Sequence, residues 1–318
     1  MAAGAREFLK TCERNIMNSR ATIITRIMGG IGNQLFCYAA ARRLALKNNA
    51  ELIIDDVSGF ARDFKYRRQY QLGRFAIACR CANPSERMEP LSLIRRYLKR
   101  AYNRRWPFED RSYIQQDGVD FDPRLFLVKP RGRVYLDGYW QSEGYFKDVE
   151  NIIRADLKIT QPVDGANLEM AERIRACLAV AVHVRFFDAP DAFGGNNAPS
   201  DYYQLAIKQM ESILSGAHYF VFSDQPDAAR NSLPLPGNRI TFVSHNKGGD
   251  NAYADLWLMT QCRHFVIANS TFSWWGAWLA ANADKQVIAP GFQPYGANQV
   301  CSWNFDGQLP KEWIKIGI

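Results

Sequence analysis

Histidine is scarce in this chain, four among 318 residues, and the seven cysteines include no CxxC pair, so a zinc site is not expected. The cysteines are odd in number and scattered, at Cys12, Cys37, Cys79, Cys81, Cys177, Cys262 and Cys301, which fits reduced thiols better than a disulfide framework. No stretch approaches the ~18 uncharged apolar residues of a membrane span, and the first twenty residues lack an apolar run of signal-peptide length. These absences predict a soluble cytoplasmic protein. No Lys-Ser/Thr follows the N-terminal glycines, which excludes a P-loop, and Leu35 stands where a dinucleotide fingerprint needs its third glycine. Internal repeats and low-complexity tracts are also lacking.

What is present is a chain that is 47% hydrophobic, enough for a large core and two ordinary domains. Its net charge of +8 is uneven, with +11 in residues 1–160 and −3 in 161–318. Six basic residues fall within 91–105, where Leu91, Ile94, Leu98, Ala101 and Tyr102 mark one apolar helical face. Such a helix suits an anionic membrane surface; the default is a solvated helix packed on its own domain. No nucleic-acid-binding motif accompanies the charge, and no nucleic-acid partner is expected.

The second half alternates strand and helix: strands at 178–184, 219–223, 239–243, 265–268 and 286–289, helices at 201–214, 226–232, 253–262 and 272–283. That is a doubly wound α/β domain, whose ligands sit beyond the carboxyl ends of the strands. Those ends carry His183 and Arg185, Ser223 and Asp224, and Asn269 and Ser270. The first half opens similarly, with a strand at 21–28, a glycine loop, a helix from 33 to about 48 and a strand at 51–54. A strand at 134–139 and a helix at 143–156 close it. The pattern gives two domains, 21–160 and 161–318, with 161–167 as the linker, while 60–130 resists ordering.

The stretch DLWLMTQCRHFVIANSTFSWWGAWL, 255–279, places hydroxyl residues between a buried strand and an aromatic helix. The first turn of that helix offers unpaired backbone N–H groups, and the hydroxyls of Ser270, Thr271 and Ser273 add donors for a nucleotide diphosphate. Its tryptophans, Trp274, Trp275 and Trp278, are read as core rather than as a sugar platform. Arg185 is the natural diphosphate partner, being permanently ionised and bidentate. Asp188 is placed to orient that arginine or to act as a base, and Asp255 to accept hydrogen bonds from a guanine edge. Gly30 and Gly32 let backbone approach another group closely, followed at once by the amides of Asn33 and Gln34.

Taken together, GGIGNQLFCYA (29–39), GYWQSEGYF (138–146), HVRFFD (183–188), FSD (222–224) and the 255–279 stretch resemble the α-1,2-fucosyltransferases of glycosyltransferase family 11, of bacterial type. The resemblance spans roughly residues 25–290. It implies an α/β, GT-B-like fold, two Rossmann-like domains facing a central cleft, the first on the acceptor side and the second binding the GDP-sugar. It also implies GDP-L-fucose as donor, inversion at the anomeric carbon and no metal or other cofactor. By position, Arg185 would grip the diphosphate, His183 and Asp255 the nucleoside, and Ser270, Thr271 and Ser273 the phosphates, with Asn33 and Gln34 facing fucose and acceptor. The chain departs from the family's HVRRGD in having Phe186 and Phe187, which removes one cation.

The expected reaction is a single displacement by an acceptor hydroxyl, assisted by Asp188 as base, with Asp55 or Asp56 behind it, or by the phosphate itself. The acceptor would be an oligosaccharide or lipid-linked glycan ending in galactose, met at the inner membrane face. Rival readings are a fucosyltransferase of other linkage or donor, a metal-dependent transferase using Asp120 and Asp122 as a DxD motif, and a catalytically decayed GDP- or glycan-binding protein. Residues 120–122 precede Pro123 and are read as a turn.

Overall fold

A computed structural model describes residues 20–190, 196–292 and 303–317. Each half of the chain builds one wholly parallel sheet. The first has strands β1 (Thr22–Arg26), β2 (Glu51–Asp55), β3 (Arg80–Cys81), β4 (Tyr113–Gln115) and β5 (Arg133–Asp137), in the order β3-β2-β1-β5-β4. The second has β6 (Ala179–Val184), β7 (His218–Ser223), β8 (Ile240–Val243), β9 (His264–Val266), β10 (Val287–Pro290) and β11 (Ile314–Ile316), in the order β11-β10-β9-β6-β7-β8. Parallel strands covered on both faces must be apolar along their length, and β6, all six residues buried, meets that demand.

The connecting helices are α1 (Ile31–Lys47), α2 (Ser92–Asn103), α3 (Glu150–Asp156), α4 (Gly165–Arg175), α5 (Ser200–Ile213), α6 (Pro226–Ser232), α7 (Ala252–Gln261) and α8 (Thr271–Leu279). Every strand and helix expected in the second half is present to within a few residues. The segment expected to link the domains is in part helical: Asp164 accepts from the backbone N–H of Asn167 and caps α4. The helix expected over 143–156 is two 3₁₀ turns followed by the short α3. Strands β3, β4 and β11 are only two or three residues long, too short for alternation to register in sequence.

The halves share one core. Trp274, Trp275 and Trp278 of α8 are buried, as read from the sequence, and pack on Phe36 of α1 and Phe146 of the first half, with Phe36 centred 4.6 Å from Trp274 and 4.9 Å from Trp275. The chain crosses back after β10: Ser142 Oγ donates to Gly307 O, and Trp274 Nε1 to Gln308 O. The five cysteines among the described residues are free thiols, while Cys12 and Cys301 lie outside them. No helix among the described residues is long and apolar enough to cross a membrane.

Candidate active site

A cleft of about 1240 Å³ opens between the two sheets, at the carboxyl ends of β6, β7 and β9. Its floor is where the domains come closest. A Cβ added to Gly32 in the first turn of α1 would lie 2.5 Å from the backbone carbon of Thr271 and 2.7 Å from the nitrogen of Phe272, so the amino ends of α1 and α8 meet with no room for a side chain. Gly30, the N-cap of α1, has ordinary φ, and a Cβ there would find only Arg68 Nε, at 3.8 Å. Gly32→Ala is therefore expected to destabilise the protein by about 1–3 kcal/mol, and Gly30→Ala by much less. Denaturant midpoints of the two variants test this, and equal midpoints would contradict it.

At the amino end of α8, Ser270 is the N-cap, and its Oγ accepts from Phe272 N at 3.3 Å. Ser270, Thr271 and Phe272 at this helix end line the cleft, where the helix dipole favours an anion. The three hydroxyls do not act alike. Thr271 Oγ1 donates to Asn33 Oδ1 at 2.9 Å, closing the floor between the domains. Ser273 does not line the cleft; it is buried, donates to Ser270 O and stands 2.9 Å from His183 Nδ1. Ser270 is left as the one of the three whose hydroxyl proton has no partner among the described residues. The expectation of three phosphate-donating hydroxyls is thus corrected to one.

His183 lines the cleft, and burial, aided by the neighbouring Arg185, pushes its pKa down to about 3. It is neutral at physiological pH. Nδ1 shares a hydrogen bond with the Ser273 hydroxyl at 2.9 Å; when that hydroxyl donates to Ser270 O the ring donates from Nδ1, and Nε2 is then an acceptor suited to a ribose hydroxyl or base N–H.

Arg185 follows β6 into the cleft and pairs with Asp224 after β7, Nη1 to Oδ2 at 3.0 Å. Asp224 Oδ1 accepts from Phe186 N, so the carboxylate is fixed by the loop it steadies. This pairing leaves the other guanidinium nitrogens for a ligand. Ser223 lines the cleft beside it, its Oγ taking Gln225 N. Asn269 also lines the cleft and donates to Asn196 O. Phe186 is buried in the core beneath the second sheet, so its place offers no group to the cleft.

Asp255, in the first turn of α7, also lines the cleft. Burial raises its pKa to about 7 against the opposing hydrogen bond from Asn246 Nδ2, at 2.8 Å. Asn246 is held in turn by Asn167. A half-ionised, desolvated carboxylate is a strong acceptor for paired N–H groups such as those of a purine edge.

Three expectations do not hold. Gln34 is fully buried and faces neither fucose nor acceptor. Its amide donates to Gly29 O and Gln69 O and accepts from Gln71 N, clamping the 69–71 segment. Asp188 does not line the cleft; its carboxylate accepts from the backbone and side chain of Asn196, which hold its pKa down. Asp55 is buried, accepting from Ser58 and Tyr135, and Asp56 does not line the cleft either. The DxD pair is spent in a turn, as read from the sequence: Asp122 caps a 3₁₀ turn and pairs with Arg124, and Asp120 accepts from Asp306 N.

Asn33 does line the cleft, with Oδ1 accepting from Thr271 and from Gln141 Nε2. Its Nδ2 makes no hydrogen bond among the described residues and is free to meet a ligand. Sequence reasoning missed the segment 66–71, of which Tyr66, Arg67, Arg68, Gln69 and Gln71 line the cleft. Arg68 approaches Gly30 and lies over the Tyr66 ring, with only a loose 3.9 Å pairing to Asp63. The Arg-Arg pair after an aromatic was the available signal.

The family model of Glycosyl transferase family 11 matches residues 97–316. The chain is similar to an alpha-1,2-colitosyltransferase of Escherichia coli, 26% identical over 313 residues, which cover 92% of this chain and 98% of the relative. It is similar to the O-antigen biosynthesis glycosyltransferase WbnK of Escherichia coli, 26% identical across 83% of this chain and 92% of that one. Among solved structures, a mutant of Arabidopsis thaliana FUT1 in complex with GDP matches with a TM-score of 0.52 at 14% identity, over 85% of this chain and 70% of that one. That likeness is one of fold, two parallel-sheet α/β domains in the GT-B arrangement.

Proposed function

The chain belongs to glycosyl transferase family 11, and from that premise we propose that it transfers L-fucose from GDP-β-L-fucose to the 2-hydroxyl of a terminal galactose, inverting the anomeric centre without a metal. The observation that carries this reading is the set of complementary groups that line one cleft. Arg185 and the amino end of α8 suit a diphosphate; neutral His183 and Asp255 suit a guanosine; Asn33, from the first domain, suits a sugar. The acceptor is a glycan, carried on a lipid at the inner membrane face; a relative that works in O-antigen biosynthesis supports this.

In the proposed step the acceptor oxygen attacks C1 of fucose while the C1–O bond to the β-phosphate breaks. Charge grows on the departing phosphate, where Arg185 and the α8 dipole neutralise it. Asp188, Asp55 and Asp56 all lie off the cleft, so the acceptor proton passes to the β-phosphate oxygen that becomes free. Arg68 reaches the same region from the first domain and supplies a second cation where Phe186 offers none. Arg68→Ala is expected to weaken GDP binding about tenfold, as loss of one charge-assisted hydrogen bond does. Titration calorimetry with GDP measures it, and an unchanged affinity would remove Arg68 from the site.

A second donor is favoured by one observation: the relative aligned over 98% of its length transfers colitose. The test is GDP release from GDP-fucose, GDP-colitose and other GDP-sugars, with and without a β-galactoside and EDTA. Acceptor-stimulated turnover of GDP-fucose that survives EDTA supports the proposal. Preference for GDP-colitose changes the donor, and GDP binding without turnover on any donor supports the binding-protein reading.

A further inference from the structure

Helix α2 is mounted with its apolar side outward. Arg96 and Asn103 are buried against the first domain and Lys99 is half-buried. Asn103 holds the helix there: Oδ1 accepts from the backbone N–H groups of Ser112 and Tyr113, at the start of edge strand β4, and Nδ2 donates to Lys99 O. The residues that would ordinarily form the core face away. Leu91 is 66% exposed, Ile94 55%, Tyr97 68%, Leu98 60% and Tyr102 58%, and Trp106 just beyond the helix is 49% exposed. The helix packs on its own domain, as expected by default, with its polar side inward.

Six large apolar and aromatic side chains exposed together, four on one short helix and two flanking it, form a patch that monomeric proteins ordinarily bury or use. The charge around it decides what covers it. Between Glu89 and Glu109 the chain carries six basic residues and no acidic one, and all but Arg96 are at least partly exposed. A second copy would bring the same positive charge face to face with it. Residues 1–19, with three basic and two acidic side chains, bring no surplus of negative charge. A nucleic acid would match the charge and leave the leucines in water. An anionic phospholipid surface satisfies both, with apolar side chains among the acyl chains, Tyr and Trp at headgroup depth and arginines on the phosphates. We propose that α2 lies in the plane of an anionic bilayer through Leu91, Ile94, Leu98 and Tyr102 and docks the first domain there. This is independent of which sugar is transferred.

The test is cosedimentation of the full chain with vesicles of phosphatidylcholine alone, or with about a third phosphatidylglycerol, at low and high salt. The expected result is binding to anionic vesicles at least about tenfold tighter than to neutral ones, weakened by salt. Ile94→Gln with Leu98→Gln should reduce it about tenfold or more while GDP binding and turnover on a soluble acceptor stay unchanged. Both positions are exposed, so the fold does not depend on them. Binding that ignores lipid charge, or is the same in the double variant, overturns the proposal. So does a dimer in solution that the double variant converts to monomer without any vesicle binding, which would make the face a contact between copies.

Discussion

Arg185→Ala is expected to lower acceptor-dependent GDP release about 10²- to 10³-fold, the scale on which single donors to a developing anion act. Two effects combine. The variant removes the cation that meets the leaving phosphate, and it leaves Asp224, 3.0 Å away in the intact pair, as an unneutralised carboxylate beside the same phosphate. Adding Asp224→Asn to Arg185→Ala should therefore recover part of the loss, whereas Asp224→Asn alone should be harmful because Asp224 holds Arg185 and the Phe186 backbone in place. Arg185→Lys keeps the charge and loses the fork, and should fall between. Initial rates at saturating donor distinguish these. An Arg185→Ala enzyme within a few fold of wild type would end the assignment.

The second large effect is expected at Asp255. Binding of the guanine edge requires an acceptor there, and with a pKa of about 7 the free enzyme offers a full carboxylate only above neutrality. GDP affinity should then fall about tenfold per unit as pH drops below 7. Asp255→Asn, which turns donors toward the donors of guanine, should cost about 2–5 kcal/mol of binding and abolish the pH dependence. Stability should move the other way. A carboxyl whose pKa rises from 3.8 in the unfolded chain to about 7 in the fold contributes stability that is full below about 4 and lost as pH climbs through 7. At pH 8 Asp255→Asn should melt higher than wild type, and the two should converge near pH 4. A variant that loses both GDP affinity and thermal stability at pH 8 would contradict this account.

Arg185 was legible in the sequence because of its surroundings, and Asp255 through the family resemblance. Parallel strands buried on both faces announce themselves as apolar runs, so the carboxyl end of β6 could be read to the residue, and Arg185 with it. The hydroxyl turn before α8 was legible for the same reason. What could not be read was direction. Amphipathic spacing in 91–105 defines two faces and is silent on which one the domain takes, and three hydroxyls in a row do not say which are spent on Asn33 and His183. Gln34 misled because an amide beside a glycine loop serves equally as a ligand group or as a clamp. Asp188 misled because proximity in sequence to Arg185 carries no information about the loop that turns it toward Asn196. The 66–71 segment has no periodicity, and only the tertiary clamp from Gln34 puts it at the cleft.

The aromatic seam between Phe36, Phe146 and the α8 tryptophans bears on how members of such a family can be recombined. Enzymes of this architecture invite hybrids that take acceptor recognition from one parent and donor recognition from another, cut between the sheets. Here that cut passes through tightly apposed rings and through the Gly32–Thr271 contact, where no added carbon fits. A hybrid inherits a working cleft only if both sides of the seam come from one parent, with α1, the 143–146 turn, α8 and the returning 303–313 segment moving as a single block. Specificity is then exchanged through the loops around the cleft, 66–71 and 244–250, which lie outside the seam, provided Arg68 and Asn246 are kept with their partners.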